Sequence, residues 1–254
     1  MGSPEVEVVL PVHNEAERIE TTIDEIFRVI FPVAPIAMIA SEDGSSDGTP
    51  EILRLLADRY PMKVISDTQR KGYSRAVLDG IRVAEAPYVL CLDSDGQCDP
   101  ADFGKFWSAR ESADVLIGWR RNRQDKALRK VLSGAFKRFH RLLFRVRLSD
   151  PSCPFVLARR EVFEELSRRP NLLSQGFWWE FVAHAHACGK SIAELPVEHR
   201  QRAAGKTHVY RMSKLPRIGW SHGTGLVRLW AQTRRPKSRH RTNRARETVD
   251  NADA

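Results

Sequence analysis

Long apolar runs are missing from this sequence. No stretch approaches the roughly 18 uncharged apolar residues that a membrane-spanning helix needs, so no such span is expected. The opening MGSPEVEVVL lacks a basic segment followed by an apolar one, so no secretory leader is expected. Cysteine is scarce: Cys91, Cys98, Cys153 and Cys188 lie at wide, irregular spacings with no Cys-x-x-Cys pair. That argues against a zinc knuckle or a disulfide framework and implies reduced thiols in a cytoplasmic protein. No repeat of fixed period is visible, which argues against a solenoid. Acid is in deficit: 32 Asp plus Glu face 41 Lys plus Arg, a formal charge of +9 over 254 residues. Such an excess suits an anionic partner, whether nucleic acid, a membrane surface or a phosphorylated substrate.

What is present is enough for a core. Hydrophobic residues make up 42% and charged residues 29%, the balance of a globular chain of one or two domains. Short apolar runs predict strands over 5–12, 35–41, 62–66, 88–93 and 114–118. Helical spacing predicts helices over 15–30, around Ile52, Leu55 and Leu56, and over 73–84. Strand and helix in alternation imply right-handed crossovers and a mostly parallel α/β sheet with helices on both faces. Ligands of such sheets sit at the carboxyl ends of the strands. The loops after Val12, Ser41, Asp93 and Gly118 therefore share one rim.

The second half is different. Over 120–147 Asp125 is the sole acid, and an apolar set from Leu128 to Val146 keeps helical period. A helix over 126–147 is expected, either packed on the core with a solvated basic face or lying among lipid headgroups. Further helices are expected over 177–188 and 215–230, with a strand over 192–197. From Arg234 onward seven Lys or Arg precede Glu247 and apolar residues almost vanish, so the tail is expected to be disordered. The expected organisation is a catalytic domain over 1–212, a helix over 213–233 packed on it, and a basic tail over 234–254.

Three polar clusters fall on the rim. Asp93-Ser94-Asp95-Gly96-Gln97 follows the apolar run YVLCL. Two carboxylates this close repel, and a cation between them lets both ionise. A hard ion such as Mg²⁺ or Mn²⁺, held by carboxylates plus substrate phosphates, suits them, with Gln97 adding a neutral oxygen. The alternative is an acidic turn capping a helix that begins near Pro100. Glu42 and Asp43 open the turn after the second strand, where a carboxylate can accept from a base N–H or a ribose hydroxyl; 45–49 reads as a turn and helix cap. Pro11-Val12-His13-Asn14-Glu15 ends the first strand. Three such clusters on one rim favour a nucleotide pocket.

In this order and spacing, PVHNE, EDGSSDGT and DSDGQ resemble the pattern of glycosyltransferase family 2 on a GT-A (Rossmann-like) fold. Gln97, two places after the second Asp, resembles the dolichol- and polyprenyl-phosphate sugar synthases. Weaker similarities continue through Ser149-Asp150-Pro151-Ser152, Gly176-Phe177, Glu194-Leu195-Pro196-Val197 and the segment from Arg202 to Thr207. The resemblance implies a nucleotide-sugar site of Pro11, His13, Glu15, Glu42, Asp43, Lys71, Asp93 and Ser94, and a metal site of Asp93, Asp95 and Gln97. It also implies that Arg120, Arg129 and Arg202 face the phosphates of donor and acceptor. The family often has Tyr at His13 and Asp at Glu42, and its usual Ser-Gly-Phe-Arg stands here as Cys153-Pro154-Phe155-Val156.

The implied reaction moves a sugar, with inversion, from a nucleotide diphosphate sugar to a polyprenyl phosphate. A phosphate monoester, with a second pKa of about 6, is already an anion near neutrality and needs positioning more than a base. A soluble hydroxyl acceptor is the alternative, and it needs a general base. Glu180 is then the candidate, unless it is a surface charge. Peripheral contact with the cytoplasmic membrane face accompanies the lipid reading. Nucleic acid is not an expected partner, because the carboxylate cluster repels phosphates unless a cation sits on it. His184 and His186, two residues apart on a helix, point in different directions and read as structural. Trp178 and Trp179 read as core or as a wall of the acceptor pocket.

Overall fold

The structure is a computed structural model that describes residues 3–121, 127–169, 172–173, 176–200 and 215–233, without the side chains of 127–132 and 215–222. Its elements run β1 (Val6–Val12), α1 (Ile19–Ile30), β2 (Ile36–Asp43), α2 (Thr49–Arg59), β3 (Met62–Asp67), α3 (Tyr73–Arg82) and β4 (Tyr88–Cys91). A 3₁₀ turn (Pro100–Asp102) leads into α4 (Phe103–Ala109), β5 (Val115–Arg120), α5 (Ala127–Phe144), β6 (Val156–Arg159) and α6 (Arg160–Ser167). The chain continues with α7 (Phe177–Ala187), β7 (Ile192–Val197) and α8 (Leu215–Thr233).

The strands form one seven-stranded sheet in the order β3-β2-β1-β4-β6-β5-β7. β1 pairs in parallel with both β2 and β4. All seven residues of β1 are buried. That is why VEVVLPV reads as a continuous run rather than an alternation: helices cover both faces of a parallel sheet. β4 pairs with β1 only as far as Val9, so Pro11, which has no N–H to donate, stands where the ladder on that side has ended. Gly80 lets α3 lie directly on β1; a Cβ there would come within 2.5 Å of Val9 Cγ1. On α1, Ile19, Ile23, Ile26, Phe27 and Ile30 form the buried stripe that their spacing predicts.

Several elements differ from the sequence reading. β6 and α6 were not expected, and β6 pairs antiparallel with both β4 and β5. Because β5 and β7 are parallel, β6 alone runs against the other six strands. A four-residue strand, Val156–Arg159, following Cys153-Pro154-Phe155 is too short to carry a period, and Pro154 reads as a loop residue. α5 ends at Phe144, three residues before the expected limit, because Arg145 adopts φ +59° and donates its N–H to Arg141 O. On α2, Leu55 points to solvent and is 67% exposed, while Leu53 and Leu56 are buried.

α8 lies against α5 and α7, with Leu226 and Leu229 buried. The expected disordered tail from 234 lies outside the described residues. Among the described residues no helix is long and apolar enough to cross a membrane. Cys91, Cys98, Cys153 and Cys188 are unpaired.

Candidate active site

The strand order runs β3-β2-β1 and then turns to β4 on the other side of β1, so the order of the strands reverses at the β1–β4 crevice. That is the switch point where sheets of this kind take ligands. The loops after β1, β2, β4 and β5 meet at this rim, and so does the entry to β6.

The first two loops are stitched together. Asn14, at φ +54°, donates its N–H to Ser45 Oγ at 2.9 Å and accepts the Ser46 N–H on Oδ1 at 2.9 Å. Glu15 and Ala16 donate their N–H groups to Thr49 Oγ1 (3.0 Å) and Asp47 Oδ2 (3.1 Å). Asp47 Oδ1 also accepts the Thr49 N–H at 3.2 Å, at the start of α2, so 45–49 is the turn and cap expected of it. His13 Nδ1 lies 2.9 Å from Asp43 O. Glu42 accepts the Ser45 N–H.

Asp43 is buried and its carboxylate is filled from the protein. Oδ1 accepts the Lys71 N–H at 2.6 Å, and Oδ2 accepts the Gly72 N–H at 2.9 Å. Gly44, at φ +64°, lets this loop approach: a Cβ there would lie 2.6 Å from Arg70 N. Asp43 thus braces the loop before α3. Lys71 contributes that backbone N–H, while its ammonium turns to Asp67 and, at 3.5 Å, to Asp79 rather than into the rim.

The loop after β4 carries the acidic pair. Asp95 Oδ1 accepts the Gln97 N–H at 3.1 Å across Gly96, which has φ +68°. Asp95 O accepts from Arg18 Nη1 at 3.2 Å, and Arg18 Nε pairs with Glu15 at 3.2 Å. Asp93 Oδ1 accepts the Tyr73 hydroxyl at 2.8 Å. Burial pushes the Asp93 carboxyl up to about 7; the charges of Asp95 and, less strongly, Glu15 act in the same direction, while Tyr73 and Arg120 oppose it. Ser94 is buried between the two acids. Gln97 Nε2 donates to Arg200 O at 3.3 Å, and Arg200 N returns a bond to Gln97 O at 2.9 Å. That leaves the Gln97 side-chain oxygen as its acceptor group.

Among the described residues no group of three or more His, Cys, Asp or Glu side chains could hold a metal. Two rim carboxylates with an incomplete donor set fit Mg²⁺ or Mn²⁺ completed by substrate phosphates, and do not fit a closed protein cage.

Arg120 departs from its implied role. Its Nε and Nη2 reach Asp150 Oδ2 and Oδ1 at 2.6 and 3.0 Å, and Nη2 also reaches Ser152 Oγ at 2.9 Å. The fork is spent on this buried bidentate pair, and Arg120 acts on Asp93 only through its charge. Glu180 departs as well. It is buried, not a surface charge, and Oε1 and Oε2 accept the Leu172 N–H while Oε2 also accepts the Leu173 N–H, each at 2.9 Å. It holds the segment before α7 and lines a cavity with Leu78, Phe163 and His184, not the acidic rim. His184 is buried and His186 exposed, so they point apart as expected. The Arg129 side chain and all of Arg202 lie outside the described residues.

Residues 7–167 match the profile described as Glycosyl transferase family 2. The chain belongs to glycosyl transferase family 2. It is 30% identical over 246 residues to "Glycosyltransferase AglD" of Haloferax volcanii, covering 92% of this chain and 38% of that protein. It is 28% identical over 231 residues to "Dolichol-phosphate mannosyltransferase" of Pyrococcus furiosus, covering 82% of this chain and 64% of that one. These two relatives are therefore longer, and the chain spans 38% and 64% of them. Among solved structures, glucosyl-3-phosphoglycerate synthase from Mycobacterium tuberculosis, in complex with Mn²⁺, UDP and glucosyl-3-phosphoglycerate, superposes with a TM-score of 0.68 at 18% identity, over 90% of this chain and 81% of that one. A Pyrobaculum calidifontis mannosyltransferase in complex with GDP-Man and Mn²⁺ gives 0.57 at 18% identity, over 91% and 74%. The fold of this family 2 member is the GT-A fold.

Two residues beside the acidic pair, Arg18 and Tyr73, escaped the sequence reading, and Trp178, read there as core or acceptor-pocket wall, donates its indole N–H to Tyr73 at 2.8 Å. Arg18 is the N-cap residue just before α1, and nothing in its local sequence marks it. Tyr73 and Trp178 are 105 positions apart and meet only through the packing of α3 and α7. Nothing in their local pattern separates them from core aromatics.

Proposed function

We propose that this chain transfers a sugar from a nucleotide diphosphate sugar to a polyprenyl phosphate, with inversion, using Mg²⁺ or Mn²⁺. The observation that carries the reading is the Asp93–Asp95 pair at the switch point. Asp93, pushed up to about 7, is short of positive charge, which a divalent cation supplies. The relatives support the acceptor: besides the mannosyltransferase, an Aeromonas hydrophila protein named "Undecaprenyl-phosphate 4-deoxy-4-formamido-L-arabinose transferase" is 27% identical over 206 residues, covering 80% of this chain and 62% of its own.

Each residue has a task in this reading. Pro11, His13 and Glu15 wall the nucleotide side, and Glu42 and Asp43 hold the loops that shape it. Asp93, Asp95 and the Gln97 oxygen hold the cation, which when bound neutralises charge developing on the leaving diphosphate. Arg129 and Arg202 are assigned to the phosphates by resemblance. The acceptor phosphate attacks as a ready-made anion, so no side chain need remove a proton. Glu180, with its oxygens given to two backbone N–H groups, supports this acceptor over a hydroxyl that needs a base. Phe139 and Leu142, exposed on α5 beside Lys137, Arg138 and Arg141, support peripheral contact with an anionic membrane face.

A partition assay tests the reading. The protein is incubated with labelled sugar nucleotides, Mn²⁺ and a short polyprenyl phosphate. Label is expected in the organic phase, lost on chelation and lost in Asp95→Ala. Full transfer by Asp95→Ala overturns the metal assignment. Label that stays aqueous, as transfer to a soluble acceptor that Glu180→Gln abolishes, overturns the lipid acceptor.

A further inference from the structure

We propose that Tyr73 is a positioning residue for Asp93, and that Trp178 orients it. The inference rests on the reading that Asp93 holds a divalent cation. Its ground is the direction of two hydrogen bonds. Trp178 Nε1 lies 2.8 Å from the Tyr73 oxygen, and that oxygen lies 2.8 Å from Asp93 Oδ1. An indole N–H can only donate, and a phenol has one proton. The Tyr73 oxygen therefore accepts from Trp178, and its single proton goes to Asp93. The hydroxyl has no second orientation that keeps both bonds.

Both ends of this relay are fixed by the fold. Tyr73 is the first residue of α3 and follows Gly72, whose N–H, with that of Lys71, is held by Asp43. Ser74, the next residue, ties its hydroxyl to Leu173 O at 3.2 Å. Trp178 is 4% exposed and packs edge-on against Phe177 and Phe181, with ring centroids 4.9 and 5.5 Å apart. Glu180, two residues on along α7, grips the N–H groups of Leu172 and Leu173. Thus α7 and the segment before it are joined to α3, and through Tyr73 to the rim acid. With Oδ1 held, the Asp93 carboxylate keeps one orientation about its terminal torsion before any ligand arrives. Outer partners of this kind commonly set metal affinity by about 10- to 100-fold.

The test is Mn²⁺ affinity, read as free Mn²⁺ by electron paramagnetic resonance in the presence of UDP or GDP. Wild type, Tyr73→Phe, Trp178→Phe and the double variant are compared, each with a metal-free thermal midpoint. Tyr73→Phe removes one oxygen from a packed site and is expected to weaken Mn²⁺ about 10-fold or more. Trp178→Phe is expected to weaken it less, in the same direction. The double variant is expected to match Tyr73→Phe alone, because Trp178 acts through the phenol. Unchanged Mn²⁺ affinity in Tyr73→Phe, whatever its thermal midpoint, overturns the inference and leaves the metal reading standing. Additive losses overturn the role given to Trp178. Absence of Mn²⁺ binding by wild type with either nucleotide overturns the metal reading and this inference together.

Discussion

Asp43, Asp150 and Glu180 are all buried, at 4%, 7% and 3% exposure, and each accepts from donors of the protein. Asp43 and Glu180 take backbone N–H groups, and Asp150 takes the Arg120 fork. Asp93 instead has one neutral hydroxyl and an acidic neighbour: burial first, and then the Asp95 charge, push its carboxyl up, and the Tyr73 hydroxyl opposes them. The sequence shows that acids cluster on the rim but not which of them the backbone will consume. DSDGQ was legible because a charged pair directly after a buried strand is rare. The bracing role of Asp43 was not, because Lys71 and Gly72 lie 28 and 29 positions away. Arg120 and Asp150 show the energetic side of such bracing. Burial disfavours the guanidinium charge, and Asp150 more than offsets this. Asp150→Asn keeps the shape and leaves Arg120 without its counter-charge. Urea unfolding is expected to show a loss of about 3 kcal/mol, the size seen when one member of a buried pair is removed. A loss below about 0.5 kcal/mol would place the pair with solvent-screened ones.

At the level of elements, α5 is where period and packing agree least simply. Its spacing announced a helix, and two faces of it have now separated. His140, Phe144 and the half-buried Phe136 turn inward to α7: His140 Nε2 donates to Trp179 O at 3.0 Å, and its ring lies 4.8 Å from Phe144 and 5.1 Å from Trp179. The same helix carries Arg138, Phe139, Arg141 and Leu142 outward. β6, by contrast, was illegible because its place comes from pairing with β4 and β5, not from its own four residues. The inward face predicts an acid-labile contact. Burial lowers the His140 pKa to about 4, with the charge of His186 acting the same way against the bond to Trp179 O. The unfolded chain binds this proton near pH 6.5 and the folded one only near 4. The stability from keeping His140 neutral is therefore complete above about pH 6.5 and is lost as pH falls towards 4, up to about 3 kcal/mol. Thermal midpoints at pH 4.5, 5.5, 6.5 and 7.5 are expected to fall on the acid side. His140→Gln, which keeps an N–H donor but does not titrate, is expected to flatten that limb. An acid limb of the same slope in both proteins would assign it to other groups.

Taken as a whole, the molecule sets a formal charge of +9 against a rim that gathers acids. The two facts are reconciled if the positive charge serves a surface other than the donor pocket. Among the described residues the outward face of α5 combines the needed features: Leu142 at 77% and Phe139 at 37% exposure, with Lys137, Arg138 and Arg141 exposed beside them. A basic residue at an anionic bilayer contributes about 1 kcal/mol, and an inserted Leu about 2 kcal/mol. Neither is sufficient alone; the proposed reversible attachment needs both. The two contributions separate by salt, since exposed charges are screened beyond about 8 Å at physiological ionic strength while apolar burial is not. Sedimentation with phosphatidylglycerol-containing vesicles is expected to recover the protein at low salt and much less at 0.5 M NaCl, a concentration chosen to shorten screening to roughly 4 Å. Leu142→Glu is expected to weaken recovery at both salt concentrations, and Arg138→Ala with Arg141→Ala chiefly at low salt. Equal recovery on purely zwitterionic vesicles, or no effect of Leu142→Glu, would move the membrane contact away from α5 and leave its outward face to solvent.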